Sequence, residues 1–300
     1  MATLGAGERH LPRAVLAPVF EKLRSEPSRT WSIIITIYGD AIVPRGGSVW
    51  LGTLLTFFKE LDIEGGVVRT AMSRLATDGW LERQKVGRNS FYRLADKGRE
   101  TFAEAARHIY TERPPPFAGH LTMVLPANGG ERDALRPALE EGGFGTPAPG
   151  VFLAPGRGIP DIAAQALTLQ VGGTLEALQI LAARSWPLAE IGQAYGRFIE
   201  IFEPLRRALV REAGIGELEA FLARILLIHE YRRIVLRDPI LPAQVLAPDW
   251  PGNAARALCA ALYRELLGPS ERWLDRNAID ETGAALPAGT TLSNRFQAEE

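Results

Sequence analysis

The sequence predicts an α+β, multidomain chain, and three observations carry that prediction. Three helical patterns followed by two short alternating runs fill residues 30–113. Strands interleaved with a helix fill 114–185, and apolar seams at helical spacing fill 186–275. The first boundary is "TERPPPF" at 111–117, where successive prolines cannot continue a helix and favour an extended spacer. Residues 1–29, with the helix-compatible stretch "AVLAPVFEKL", read as an N-terminal arm, and 276–300 read as a polar tail.

In the first domain, "WSIIITIYGDAI" and "SVWLGTLLTFFKEL" predict two helices separated by "VPRGG". The first is rich in β-branched isoleucine, so propensity alone permits a strand there. After "DIEGG" comes "VVRTAMSRLATDG", in which Val68, Ala71, Met72 and Leu75 form one apolar stripe. Arg69, Thr70, Ser73 and Arg74 take the other side, and Gly79 supplies the stop. "WLERQKV" and "NSFYRLA" then flank Gly87-Arg88, where glycine supplies positive φ readily and a hairpin is the economical reading. Three helices and a hairpin are the element order of a winged helix-turn-helix. Such a module docks a helix in the major groove and reaches phosphates or the minor groove with the hairpin, which requires cations near its tip. Lys85, Arg88 and Arg93 supply them, and Trp80 and Tyr92 read as packing between helix and hairpin.

In the middle segment "HLTMVLP", "GVFLAP" and "ALTLQVGG" read as strands and "GERDALRPALEEGGFG" as a helix, which suggests a small ferredoxin-like α+β domain. The C-terminal helical domain shows Ile191, Tyr195, Phe198, Phe202, Leu205 and Leu209 spaced by four and three, with Pro204 expected to kink or end the helix near Glu203. "ELEAFLARILLIHEYRRIV" continues the helical pattern, and the four prolines of "DPILPAQVLAPDWPG" demand a loop.

Charge narrows the partner. The whole chain is nearly neutral at −1, yet Arg69 to Arg99 holds eight Lys or Arg against three acids, a local +5 that marks a polyanion-facing segment. The single cysteine, Cys259, excludes an internal disulfide and, set in "ARALCAALYRELL", reads as an inert core thiol. Neither a signal h-region nor an 18-residue apolar run occurs, so the expected location is cytoplasmic, with no membrane partner. The nucleotide-binding P-loop, the serine-hydrolase elbow and the zinc-protease helix motif are all absent, and the four histidines are scattered. No catalytic residue, metal site or cofactor is therefore expected. A nucleic-acid-processing enzyme built on the ferredoxin-like domain would want an acidic residue near its first strand to hold a metal, and "HLTMVLPAN" has none.

Three stretches, "YGDAIVPRGGSVWLGTLLTFF", "VVRTAMSRLATDGWLERQKVGRNSFYRL" and "HEYRRIVLRDPILPAQVLAPDWPG", resemble the PaaX-like repressors of phenylacetate degradation, and "EEGGFGTPAPGVFLAP" resembles that family's middle domain. The resemblance spans about residues 30–270. It implies a homodimeric repressor that binds double-stranded operator DNA and is released by an aryl-CoA effector, typically phenylacetyl-CoA. A winged-helix regulator answering another acyl-CoA, a free aromatic acid or a protein partner is the alternative. Carried onto this chain, the DNA-binding positions are Arg69, Thr70, Ser73 and Arg74 on the helix and Arg88, Asn89, Ser90 and Arg93 on the wing. Arg74, near the edge of the apolar stripe, could equally clamp a neighbouring helix. For the effector, His229, Tyr231, Arg232, Arg233, Arg237 and Trp250 combine cations for phosphates with rings for stacking. Against that reading, Arg237 beside Asp238 could be an internal ion pair and Trp250 a packed corner. The seam of Tyr195, Phe198 and Phe202 is a candidate dimer interface.

Overall fold

The computed structural model describes residues 13–25, 29–111, 113, 114, 116–127, 129–155, 159, 161–163, 166–211, 214–289 and 291–297. Parts of the predicted arm (1–12 and 26–28) and the end of the predicted tail (298–300) lie outside the described residues. In chain order the elements are α1 (Ala17–Ser25), α2 (Thr30–Ile37), β1 (Ser48–Trp50), α3 (Leu51–Lys59), α4 (Gly65–Thr77), β2 (Leu81–Val86), β3 (Asn89–Leu94), α5 (Asp96–Tyr110) and β4 (His120–Leu125). There follow α6 (Gly129–Glu141), β5 (Gly145–Ala148), β6 (Val151–Leu153), β7 (Leu167–Gly172), α7 (Leu175–Ser185), α8 (Leu188–Arg211), α9 (Glu217–Val235) and α10 (Gly252–Asn277). The strands form two antiparallel sheets, so the chain is α+β as expected.

The chain divides into two compact units that do not follow its linear order. One gathers the described residues of Met1–Thr111, Phe198–Arg232 and Ala254–Glu300; the other holds those of Glu112–Arg197 and Arg233–Asn253. These units do not coincide with the helical domain expected at 186–275, since α8 and α9 each contribute residues to both. The reason lies in α9, where every residue from Phe221 to His229 is buried, so this stretch has no solvent face and must be taken into a core. Pro204 neither ends α8 nor stops it near Glu203; the helix continues to Arg211.

In the first unit, Ser48–Trp50 form a strand rather than the predicted helix start. Gly46 and Gly47, at φ 89° and 78°, break the chain direction, and β-forming Val49 and Trp50 then pair with Tyr92 and Phe91. The sheet order is β1-β3-β2. α5 was not anticipated as an element, although its Ile109 and Tyr110 bury against the core. The predicted polar tail is also corrected. The Trp50 amide donates to Ile279 O at 3.0 Å, and Leu286, Leu292, Arg295 and Phe296 are all buried.

A set of paired charges around buried Asp40, Arg45, Arg224 and Arg295 ties these pieces together. After α2 the backbone widens into a π-turn over Tyr38–Ile42, which carries Asp40 at 1% exposure. Asp40 accepts hydrogen bonds from Tyr110 Oη (2.6 Å) and Arg295 Nη1 (2.8 Å), and its Oδ2 lies 2.7 Å from Arg224 Nε. Arg224 Nη1 reaches Glu271 Oε1 at 2.5 Å, and Arg45 pairs with Glu271 (3.0 Å) and with Asp275. Tyr263 Oη accepts from Arg295 at 2.7 Å and from Arg224 at 3.2 Å. Three buried arginines thus face buried Asp40, partly buried Glu271 and exposed Asp275, and such pairing is the condition under which buried charge is tolerated.

In the second unit the sheet order is β5-β6-β4-β7. β4 and β5 both run antiparallel to β6, so they are parallel to one another and, joined through α6, make a split β-α-β unit. Between β6 and β7 the only helical element among the described residues is the short 3-10 turn Asp161–Ala163, and a helix follows β7 instead. The arrangement therefore departs from the full ferredoxin-like pattern at its second crossover. One core cluster is built on Leu121, Leu153, Leu178 and Trp186, the other on Val124, Leu135, Leu139 and Phe152, one on each face of the alternating sheet.

Candidate nucleic-acid interface

α4 presents two faces because its apolar residues recur at helical spacing. Val68, Met72 and Leu75 are buried, while Arg69, Thr70, Ser73 and Arg74 are exposed. The helix stops in a Schellman geometry: Gly79 takes φ 76°, Trp80 N donates to Leu75 O at 2.9 Å, and Gly79 N to Ala76 O at 3.1 Å. Thr70 Oγ1 donates to Gly66 O at 3.0 Å, which leaves its lone pairs outward. Arg74 does not clamp a neighbouring helix. Its side chain is 78% exposed and lies 3.7 Å from Asp78 one turn on, a surface pair of little energetic weight.

The hairpin follows at once and outruns the core it covers. Leu81 is buried, but Glu82 to Asn89 are exposed without interruption, and burial resumes at Phe91 and Tyr92. Val86 pairs with Asn89 across Gly87-Arg88, and Gly87 has φ 58°, the conformation a II′ turn needs at its first central position. Lys85, Arg88 and Asn89 therefore stand on the solvent-surrounded tip. Ser90 accepts from Arg83 Nη2 at 2.9 Å, so Arg83, whose Cζ lies 6.0 Å from the Tyr92 ring centroid, belongs to the same basic surface. Sequence reasoning passed over Arg83 although alternation with Lys85 puts both on one face of β2.

Arg93 stands apart from the tip. It sits at the hairpin base and forms an ion pair with Glu281 from the C-terminal segment. The Glu281 carboxyl is held below its usual range by the Ser48 hydroxyl, by its backbone hydrogen bond and by Arg93, with burial opposing. Trp80 and Tyr92 pack as expected: Lys97 Nζ lies 5.4 Å from the Trp80 ring centroid, and Tyr38 Oη donates to Tyr92 O at 3.0 Å.

The six expected effector residues are not brought together within one unit. His229, Tyr231 and Arg232 belong to the first, Arg233, Arg237 and Trp250 to the second. His229 is fully buried with Nδ1 3.0 Å from Thr36 Oγ1, and Arg232 donates to Thr36 Oγ1 (2.8 Å) and Ser32 Oγ (2.7 Å). Tyr231 is buried against Phe198 and Phe296. His229 and Arg232 thus anchor α9 on α2, and Tyr231 packs against α8 and the C-terminal segment. Arg237 donates to Arg233 O at 2.9 Å, and Asp238 accepts from Tyr195 Oη at 2.8 Å. Trp250 is a packed corner, edge-on to Tyr195 and close over Gly192. Tyr195, Phe198 and Phe202 are themselves buried within the chain and offer no open dimer surface.

Burial pushes the thiol of Cys259 well above its ordinary range, as befits a core residue. Among the described residues no cluster of His, Cys, Asp and Glu could hold a metal ion, and no helix is long and apolar enough to cross a membrane.

Residues 29–98 match the family model described as PaaX-like protein, and residues 186–276 match that of the PaaX-like protein C-terminal domain. Transcriptional repressor PaaX of Escherichia coli (strain K12) is 32% identical over 285 residues, 88% of this chain and 89% of its own length. Among solved structures the chain is similar to Uncharacterized protein Rv0674 from Mycobacterium tuberculosis, at 23% identity and a TM-score of 0.47, over 87% of this chain and 96% of that one.

Proposed function

The chain belongs to the PaaX-like protein family, and from that membership we propose that it represses a phenylacetate or related aromatic catabolic operon by binding double-stranded operator DNA. The family is one of regulators, and the chain acts as a regulator and not as an enzyme. One observation carries the reading: an exposed Arg/Thr/Ser face on α4 is followed directly by a hairpin whose projecting tip bears Lys85 and Arg88. In this winged helix-turn-helix, α4 enters the major groove, where arginine pairs with guanine edges and the hydroxyls of Thr70 and Ser73 with base or phosphate. The hairpin cations lie along the backbone, fixing register without reading sequence. Arg69, Thr70, Ser73 and Arg74 carry specificity; Lys85, Arg88, Asn89 and Ser90, with Arg83, carry affinity.

Two copies bind the two halves of an inverted repeat, and an aryl-CoA thioester such as phenylacetyl-CoA releases them by binding the free form more tightly than the DNA-bound form. The effector class rests on the family alone. Fluorescence anisotropy on a duplex from upstream of the chain's own gene, titrated with phenylacetyl-CoA and with free phenylacetate, tests it. Release by the thioester and not by the acid is the expected result. Binding indifferent to both would sink the effector assignment, and no salt-sensitive binding would sink the repressor reading itself.

A further inference from the structure

The first turn of α4 is built from residues that a helix does not favour and a core hardly uses. It reads Gly65, Gly66, Val67, Val68, and among these only Val68 is buried. Each glycine costs a helix about 1 kcal/mol relative to alanine, and a β-branched valine costs part of that. Glu64, at the N-cap, makes no side-chain capping bond that would offset them. Val67 is 50% exposed and stands outside the buried stripe of Val68, Met72 and Leu75. A single exposed valine is ordinary on a protein surface; the place of this one is not. Thr70 and Arg74 follow it at i+3 and i+7, so Val67 continues one side of the exposed Arg/Thr/Ser face toward the helix N-terminus, the end that meets base edges in a helix-turn-helix.

We infer that Val67 is a specificity-determining residue that reads the C5-methyl group of a thymine in the operator. The inference rests on the proposed entry of α4 into the major groove and adds a contact of a different kind from those of the arginines and hydroxyls. The groups that distinguish base pairs in that groove are hydrogen-bond donors and acceptors, with one apolar exception, the thymine methyl. Against a thymine, Val67 exchanges water for contact between methyl groups. Against the donors and acceptors of the other bases it strips water and returns no hydrogen bond, so the same side chain favours one base and disfavours the rest. Its neighbours provide the approach. A valine side chain is short, and its methyl groups reach a base edge only where the helix backbone lies deep in the groove. Gly66 lies one turn before Thr70 on the same exposed face, and a Cβ there would meet nothing within 4 Å, so no side chain at that point holds the duplex away. At Gly65 a Cβ would come within 3.0 Å of Arg69 Nη1, so its absence leaves room for the guanidinium beside the first turn, on the flank opposite Val67. One flank of the helix start is thus cationic and the other apolar.

The test is fluorescence anisotropy of the full chain and of Val67→Ala on the duplex from upstream of the chain's own gene. Each thymine is replaced in turn by deoxyuridine, which removes the methyl group and no hydrogen-bonding group. For the native chain, one substitution in each half of the inverted repeat should weaken binding about fourfold, the weight of one buried methyl group. Val67→Ala should bind the unmodified duplex more weakly by about the same factor, and the same uracil should then cost it nothing, while uracil elsewhere acts on both proteins alike. Alanine is the better helix former and Val67 is half exposed, so the variant should melt no lower than the native chain, with circular dichroism as the control for folding. A native chain that binds the duplex yet is indifferent to every thymine methyl would overturn the inference and leave the repressor reading in place. A penalty of equal size in the native chain and in Val67→Ala would do the same. A native chain that binds no duplex would remove both.

Discussion

Asp40 holds two buried arginines at once, and the energetic consequence follows from burial. Removing the buried anion of a buried ion pair strands the opposite charge, which costs about 3–5 kcal/mol. Asp40→Ala should lower stability by that amount in urea unfolding, and a loss under about 1 kcal/mol would show that the pairing with Arg224 and Arg295 is not maintained. Tyr263, in the same network, is pushed up to about 12 from its ordinary 10.0, chiefly by burial, with Arg224 and Arg295 opposing. Because its folded value is raised, the stability it contributes is complete below pH 10 and is lost as pH rises from 10 through about 12. The stability difference between the native chain and Tyr263→Phe should therefore narrow by about 1 kcal/mol between pH 9 and pH 11. A constant difference would contradict the assignment. Arg88 and Arg93 also separate at this scale: the first stands free on a turn, the second answers Glu281. Their sequence contexts look alike, since the partner of Arg93 lies 188 residues away.

The hairpin depends on Gly87 for its turn. A Cβ at that position would touch nothing within 4 Å, so the cost of Gly87→Ala is backbone strain alone, about 1–2 kcal/mol at φ 58°. Amide exchange should quicken at Val86 and Asn89 while the melting temperature of the chain holds; protection left unchanged at those amides would contradict the turn assignment. This hairpin and α4 were legible in the sequence because periodicity and turn chemistry are local. Other elements were not. Three-residue β1 is too short for any period, and it becomes a strand only because β3 offers it an edge. Residues 278–297 are polar on average, yet Leu286, Leu292, Arg295 and Phe296 each find a buried partner surface in distant segments. The packing role of "HEYRRIV" was hidden for the same reason: the stretch combines cations and rings as a ligand site would, and His229 and Arg232 bond to Thr36 and Ser32, some 190–200 residues away in sequence.

Over the whole molecule, a net charge of −1 gives no reason to approach DNA, so the proposed binding rests on the local +5 window of residues 69–99. Affinity should then fall steeply with salt, by a slope that counts the phosphate contacts. On the proposed reading, with Arg69 in a groove and Arg88 on the backbone, the two should contribute differently. Arg69→Ala should lose discrimination between operator and unrelated duplex, by about 1–3 kcal/mol, with the effector still bound. The most direct test of DNA binding through this surface is the salt dependence of duplex affinity for the native chain and for Arg88→Ala, measured by anisotropy across a range of chloride concentrations. The prediction is a linear log–log plot whose slope becomes shallower by about 1 in the variant, with weakening on operator and unrelated DNA alike. Identical slopes and affinities for the two proteins would place the DNA interface elsewhere on the chain.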